Sequence, residues 1–395
     1  VMTRQARPKT TTDNHVSSGF FHLLTVGAIP NRPNVRSYQA RYKQERPANP
    51  RTPRLNDAES HGPRGATSKK VCTTSNAPAT VREIETVFAS MLPAWWATLE
   101  SLCLCRSTMQ QVRDAVIVAG GLGTRMFPVS AIQPKETLPL IDVPLLTHLV
   151  MEAKNAGATR LHIILSPRKN LGDFLADRSD LASMRPELDE TLFNITKDIE
   201  VFTHIQHEAK GIGNALQCAL HAIEGPMLVL LGDNVLMDIH SPTTAFAPST
   251  ASQQLVEQFN QHGQATVGLM EVPEDQVSLY GIVSMTENTI TGMVEKPPLA
   301  TAPSRMALCG RYVFPDTTQA LLEEYSYERC GDLQTIALQE HWMNEGTLHG
   351  VLLDKMQWYD SGSPLSWLKA QVDHALRRPE YSEALLNWLQ ERLND

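Results

Sequence analysis

The chain has 395 residues, enough for one large α/β domain with further material or for two domains. Hydrophobic residues make up 42% and charged residues 20%, the balance of an ordinary globular protein rather than a fibrous or low-complexity one. No stretch approaches the roughly 18 uninterrupted apolar residues of a membrane span, so no partner membrane is expected. Val1 to Thr12 is polar and basic without an apolar core, which does not read as a secretory signal.

The net charge of −8 conceals two regions. Residues 1–108 carry 15 Lys and Arg against 7 Asp and Glu, whereas 109–395 carry 20 against 36. Residues 1–80 are rich in Thr, Pro, Arg, Asn and Ser and have little periodicity. Such a composition buries too little apolar surface to offset its ordering entropy. The expectation is a disordered or non-native extension over 1–108 and a catalytic domain over 109–395. The first residue is Val1, and Met109 stands five residues before the first strong strand, so the functional protein is expected to begin near Met109. A basic tail can bind nucleic acid, but no RNA-binding signature accompanies it, and no nucleic-acid partner is expected. An amphipathic helix is expected over 81–104, with Pro93 as a possible break. Six cysteines (Cys72, Cys103, Cys105, Cys218, Cys309 and Cys330) form no CxxC pair. They read as reduced structural thiols of a cytoplasmic protein.

From Asp114 onward strands and helices alternate. Ala115–Ala119 is a short apolar run ending in glycines, the mark of a buried strand. Leu145–Ala156 reads as a helix stopped by Gly157, and Leu161–Leu165 as a second strand. Strands are expected at Glu200–Gln206 and Met227–Leu231, with a helix over Asn214–Ile223 between them. Further strands follow at Ala265–Val272, Gly281–Met285, Ile290–Val294, Met306–Phe314 and Leu348–Leu353. Ser366–Leu393 is helical and divided by Pro379. This order predicts an α/β fold with a mainly parallel sheet and helices on both faces.

The strongest local signal is Val118-Ala-Gly-Gly-Leu-Gly-Thr-Arg-Met-Phe-Pro128. A buried strand runs into Gly120, Gly121, Leu122, Gly123 and Thr124, then Arg125. Glycines there let the backbone turn sharply and bring its N–H donors close to phosphate. The pattern is not GxxxxGK[ST], and Met126 stands where a dinucleotide fingerprint needs its third glycine. Arg125, with Lys135 ten residues later, adds the cations that a triphosphate demands.

Gly120-Gly-Leu-Gly-Thr-Arg-Met-Phe-Pro, Pro134-Lys-Glu-Thr-Leu-Pro-Leu140 and Asp142-Val-Pro144 together resemble the signature of the sugar-nucleotide pyrophosphorylases. The likeness is to the bacterial-type UTP–glucose-1-phosphate uridylyltransferases, with the glucose-1-phosphate thymidylyltransferases second. It covers about residues 112–378 and implies a Rossmann-like nucleotidyltransferase domain.

The resemblance also implies roles. Asp233, at the end of the apolar strand Met227–Leu231, and Asp360, in Trp358-Tyr-Asp-Ser-Gly362, match the family's Mg²⁺ aspartates. Two carboxylates completed by phosphate oxygens and waters suit that ion. Gln206 matches the glutamine that pairs with the pyrimidine edge, since an amide can donate and accept at once. Gly211 and Gly213 would let backbone pass close to the base. Tyr280, Gly281, Glu295 and Lys296 match the sugar-phosphate site. Arg125 and Lys135 are the expected catalytic cations, facing the leaving pyrophosphate and the α-phosphate. UTP and glucose 1-phosphate are the expected substrates, and a homo-oligomer the expected assembly.

Some positions depart from the uridylyltransferase pattern. Ala131 replaces a usual lysine, Asn214 a usual histidine, and Gly232 and Asn234 read more like the thymidylyltransferase version. The Gly211-x-Gly213-x-Ala215 spacing and Gly310-Arg-Tyr312 favour the uridylyl branch. A sensor of nucleotide sugars without turnover is the alternative. The full set of Arg125, Lys135, Asp233 and Asp360 argues against it.

Overall fold

A computed structural model describes residues 111–324 and 335–394. The expected extension over 1–108, with its helix over 81–104, lies outside the described residues, as do Cys72, Cys103, Cys105 and Cys330. Among the described residues no helix is long and apolar enough to cross a membrane.

Thirteen strands occur among the described residues: β1 Asp114–Ala119, β2 Pro139–Leu140, β3 Val143–Pro144, β4 Arg160–Leu165, β5 Glu200–Ile205, β6 Met227–Leu231, β7 Asn234–Met237, β8 Thr266–Glu271, β9 Gly281–Thr286, β10 Thr289–Glu295, β11 Met306–Phe314, β12 His349–Leu352 and β13 Gln357–Asp360. Nine of them form one sheet in the order β5-β4-β1-β6-β11-β8-β12-β10-β9. The first four run parallel. Their near-continuous apolar sequences, such as Asp-Ala-Val-Ile-Val-Ala in β1, suit strands covered on both faces.

The other half of the sheet corrects the expectation of a mainly parallel architecture. Strand β11 runs antiparallel to β6, β8 and β9, and β10 runs antiparallel to β9 and β12. Only β12 and β8 are parallel there. The physical reason is the short connection. Thr286 and Thr289 pair across Glu287 and Asn288, with Glu287 at φ 54, and a link that short can only make a hairpin.

Helices cover both faces as expected. Helices α1 Leu145–Asn155 and α2 Gly211–Ala219 follow the parallel strands, and α3 Ala251–His262 precedes β8. Chain termination of α1 is local: Gly157 takes φ 93, which a β-carbon disfavours. Leu145, Leu149 and Val150 of α1 join Leu255 and Phe259 of α3 in one apolar core. Ala215, Leu216 and Ala219 of α2 form the opposite core with Leu322 of α4 Thr318–Glu324 and with Leu338 and Trp342 of α5 Thr335–Asn344. The C-terminal pair is α6 Pro364–Arg377 and α7 Pro379–Asn394. Pro379 divides the segment as expected, by opening the second helix, where its missing N–H costs nothing.

Candidate active site

The carboxyl ends of β1, β4, β5 and β6 point to one side of the sheet, where open α/β sheets bind ligands. The glycine loop leaves β1 there. Gly123 takes φ 65, and a β-carbon on it would come within 3.2 Å of Lys135 Cδ. Ser130 Oγ closes the loop by donating to Gly123 O at 2.7 Å. Of the loop Gly120, Gly121, Leu122, Gly123 and Thr124, Gly123 sits beside Lys135 and Gly120 beside Gln206. Leu122, Thr124 and Arg125 are exposed.

Asp233 lies in the turn between β6 and β7, and Asp360 on β13, the partner of β7 in a separate two-stranded sheet. Strand β7 pairs antiparallel with β13, setting Asp360 opposite Asn234, the residue after Asp233. Ser361 reinforces this, its N–H and hydroxyl both donating to Asp233 O at 2.8 Å. Asp360 is the last residue of β13. Burial pushes its carboxyl above the ordinary range, and the nearby Asp233 pushes it further, against Gly362 N–H, Lys135 and Arg125. Lys135 Nζ donates to Asp233 Oδ2 at 3.1 Å. A β-carbon on Gly362 would lie 2.8 Å from Asp360 Oδ1 and 3.2 Å from Arg125 Nη2, so Arg125 borders the same carboxylate. Among the described residues no three His, Cys, Asp or Glu side chains form a metal cage. Two carboxylates remain, the oxygen donors that a hard cation such as Mg²⁺ takes.

Gln206 is buried at the end of β5, with Oε1 2.6 Å from where a β-carbon on Gly120 would sit. Its Nε2 donates to Gly211 O at 3.1 Å and to Asn214 Oδ1 at 3.0 Å. The amide thus does not offer a donor and an acceptor together, as its residue type alone allowed. Its donor is committed to the protein, and the carbonyl oxygen faces the glycine loop.

Tyr280, Gly281, Glu295 and Lys296 form a second group. Gly281 pairs with Glu295 across the β9–β10 hairpin, and a β-carbon on Gly281 would meet Glu295 Oε2 at 3.0 Å. Lys296 Nζ lies 2.9 Å from Glu295 Oε1. Lys296 N–H donates to Tyr280 O at 3.0 Å, and Lys296 takes φ 46, a strained value for a residue with a side chain. Tyr280 links this group to the carboxylates: its ring packs on Trp358 at 4.5 Å, and its hydroxyl pKa is raised by burial and then by Asp360.

Two buried supports were not singled out from the sequence. Lys169, beyond the end of β4, donates to both Glu136 oxygens at 2.8 Å and to Ala119 O at 2.6 Å. It ties the glycine loop to the Pro134-Lys-Glu136 segment. Its signal was position alone, a lysine at the carboxyl end of a parallel strand. Arg311, fully buried, makes a bidentate pair with Glu152 at 2.7 and 2.9 Å and donates to Asn234 Oδ1 at 2.7 Å. Arg311 therefore braces the strand that follows Asp233.

A mixed α/β sheet with a glycine-rich loop, two adjacent carboxylates and two cations at one edge defines a site for joining phosphate-bearing substrates. The nucleotidyl transferase family model matches residues 114–376, and the chain belongs to that family. Among its relatives, the UTP–glucose-1-phosphate uridylyltransferase of Staphylococcus haemolyticus is 30% identical over 295 residues, covering 72% of this chain and 99% of the relative. UTP–glucose-1-phosphate uridylyltransferase YngB of Bacillus subtilis is 33% identical over 295 residues, covering 71% of this chain and 96% of the relative. The UTP-bound UGPase from Acinetobacter baumannii is a structural neighbour at TM-score 0.60 and 25% identity, covering 71% of this chain and 99% of that one.

Proposed function

We propose that the chain transfers the uridylyl group of UTP to glucose 1-phosphate, forming UDP-glucose and releasing pyrophosphate. The observation that carries this reading is the meeting of Lys135, Arg125, Asp233 and Asp360 beside the glycine loop, in a chain that spans nearly the whole length of uridylyltransferase relatives. The sugar phosphate oxygen attacks the α-phosphorus in line. That oxygen is already an anion, so no general base is required. Catalysis rests on positioning and charge neutralisation.

The glycine loop supplies backbone donors to the phosphates, and Gln206 and Gly211 hold the base. Lys135 turns from Asp233 to the α-phosphate as substrate enters. Arg125, exposed and next to Asp360, meets the departing pyrophosphate. Glu295 accepts from sugar hydroxyls, and Lys296 neutralises the sugar phosphate beside Tyr280 and Gly281. Asp233 and Asp360 are the residues that would hold Mg²⁺. The Asp360 carboxyl is pushed toward protonation first by burial and then by Asp233, a strain that a bound cation would relieve. When bound there, the ion supplies charge neutralisation for the two phosphates that must approach each other.

Glucose-1-phosphate thymidylyl transfer is the second reading, favoured by Gly232 and Asn234. A homo-oligomer is supported by Leu365, Leu368, Trp388 and Leu393, which expose apolar surface on α6 and α7. A cytoplasmic setting suits the free thiols of Cys218 and Cys309. The deciding experiment incubates the protein and Mg²⁺ with each nucleoside triphosphate and several sugar 1-phosphates, following pyrophosphate. UTP with glucose 1-phosphate should be fastest, dTTP slower because it adds the 5-methyl and lacks the 2′-hydroxyl, and ATP and GTP poor. A preference for ATP or GTP would reject the reading.

A further inference from the structure

The amide of Gln206 is the last member of a chain of amides running away from the site. Gln206 Nε2 donates to Asn214 Oδ1 at 3.0 Å. Asn214 Nδ2 donates to Gln217 Oε1 at 3.3 Å, and Gln217 Nε2 donates to Leu322 O at 2.8 Å. Leu322 O is a backbone carbonyl and only accepts. It therefore turns the nitrogen of Gln217 toward itself and the oxygen toward Asn214. Asn214 must then turn its nitrogen to Gln217 and its oxygen to Gln206, and Gln206 must turn its oxygen to the glycine loop. Reversing one amide would set oxygen against oxygen or nitrogen against nitrogen in half-buried surroundings, where an unmade hydrogen bond is costly. Gly211 O imposes the same sense on Gln206 from a second direction. Among the described residues no donor reaches Gln206 Oε1, which stands beside Gly120.

We propose that Asn214 is a positioning residue for base selection: it locks Gln206 with its carbonyl oxygen toward the nucleotide, so that the site reads a ring N–H and rejects a ring nitrogen that accepts. The proposal rests on the assignment of Gln206 to the base. Uracil and thymine carry an N–H at ring position 3 and satisfy Oε1. Cytosine carries a lone pair at that position, so CTP sets acceptor against acceptor. A mismatch of polar groups discriminates far more strongly than a missing methyl. The relay therefore separates UTP and dTTP from CTP and does not itself distinguish UTP from dTTP.

The test is steady-state kinetics of the full chain with UTP and with CTP, glucose 1-phosphate saturating. The wild type should favour UTP over CTP in kcat/KM by at least about a hundredfold. Asn214→Leu, and Asn214→Ala with no added bulk, should each lower that ratio by about fivefold or more, mainly by raising the UTP KM while kcat changes less. Asn214→Asp keeps an acceptor facing Gln206 Nε2 but sets a carboxylate oxygen against Gln217 Oε1, so it should restore the ratio in part, to above that of the Leu and Ala variants. If Gln206→Ala collapses the ratio but the Leu and Ala variants at 214 leave it unchanged, the relay is overturned and Gln206 stands as the base reader. If Gln206→Ala leaves the UTP KM unchanged, both assignments fall.

Discussion

Lys135 Nζ stands 3.1 Å from Asp233 Oδ2 across 98 positions of chain. The lysine side chain is 10% exposed and the aspartate side chain 38% exposed, so the pair sits at the mouth of the site with its cation turned inward. A partly exposed pair adds little to folding, under about 1 kcal/mol. Lys135→Met should therefore change the urea midpoint little but lower kcat by about two orders of magnitude, roughly 3 kcal/mol of barrier. A loss below threefold would mean that the lysine serves only Asp233.

Asp233→Asn keeps the size of the side chain and removes the charge offered to Mg²⁺. Turnover should fall at least about a hundredfold, with partial recovery at raised Mg²⁺. Asp360→Asn should fall similarly. Near-normal turnover at ordinary Mg²⁺ would make Asp233 a turn residue. Calorimetric titration with Mn²⁺ in the presence of UTP checks binding apart from rate.

Gly120→Ala tests the closeness of the loop to Gln206. The added carbon would lie 2.6 Å from Gln206 Oε1, inside contact distance. The glutamine must shift, and the UTP KM should rise about tenfold or more, with sugar specificity unchanged. An unaltered UTP KM would show that the base does not lie between these residues.

His148, His240 and His374 meet between α1, α6 and the segment after β7. His240 Nδ1 and His374 Nδ1 are 2.9 Å apart. Burial lowers all three, to about 4, about 4 and about 2. The charges around them are Asp142, Arg377, Arg378, Asp373 and Asp238. Each group is neutral when folded and protonates near 6.5 when unfolded. Their contribution is therefore complete above pH 6.5 and is lost as pH falls from there toward 4 for His148 and His240 and toward 2 for His374, each at up to about 1.4 kcal/mol per pH unit. The thermal midpoint should drop from pH 7 to pH 5, and His374→Gln should flatten that slope. A midpoint that rises on acidification would contradict the cluster.

Every candidate site residue falls between Gly120 and Asp360. Removal of residues 1–108 should leave kcat/KM within about threefold, a change under roughly 1 kcal/mol. A hundredfold loss would place part of the site in that segment.

The glycine loop, Lys135, Arg125, Asp233 and the helix and strand periods were legible in the linear sequence because each is a local pattern. A buried strand, a run of glycines and a cation ten residues on are read from neighbours in the chain. Strand direction was not legible, since period-two alternation is the same whichever way a strand runs; only the two-residue link between β9 and β10 and the pairing of β11 decided it. Tertiary structure also decided which of its hydrogen bonds Gln206 keeps for the protein. Gln206, Asn214, Gln217 and Leu322 come from three elements, and the polarity of an amide depends on whatever carbonyl the fold sets against it. The same holds for Lys169 with Glu136 and Arg311 with Glu152. Ion pairs buried between distant segments leave no periodic trace in the sequence, because the fold alone brings the partners together.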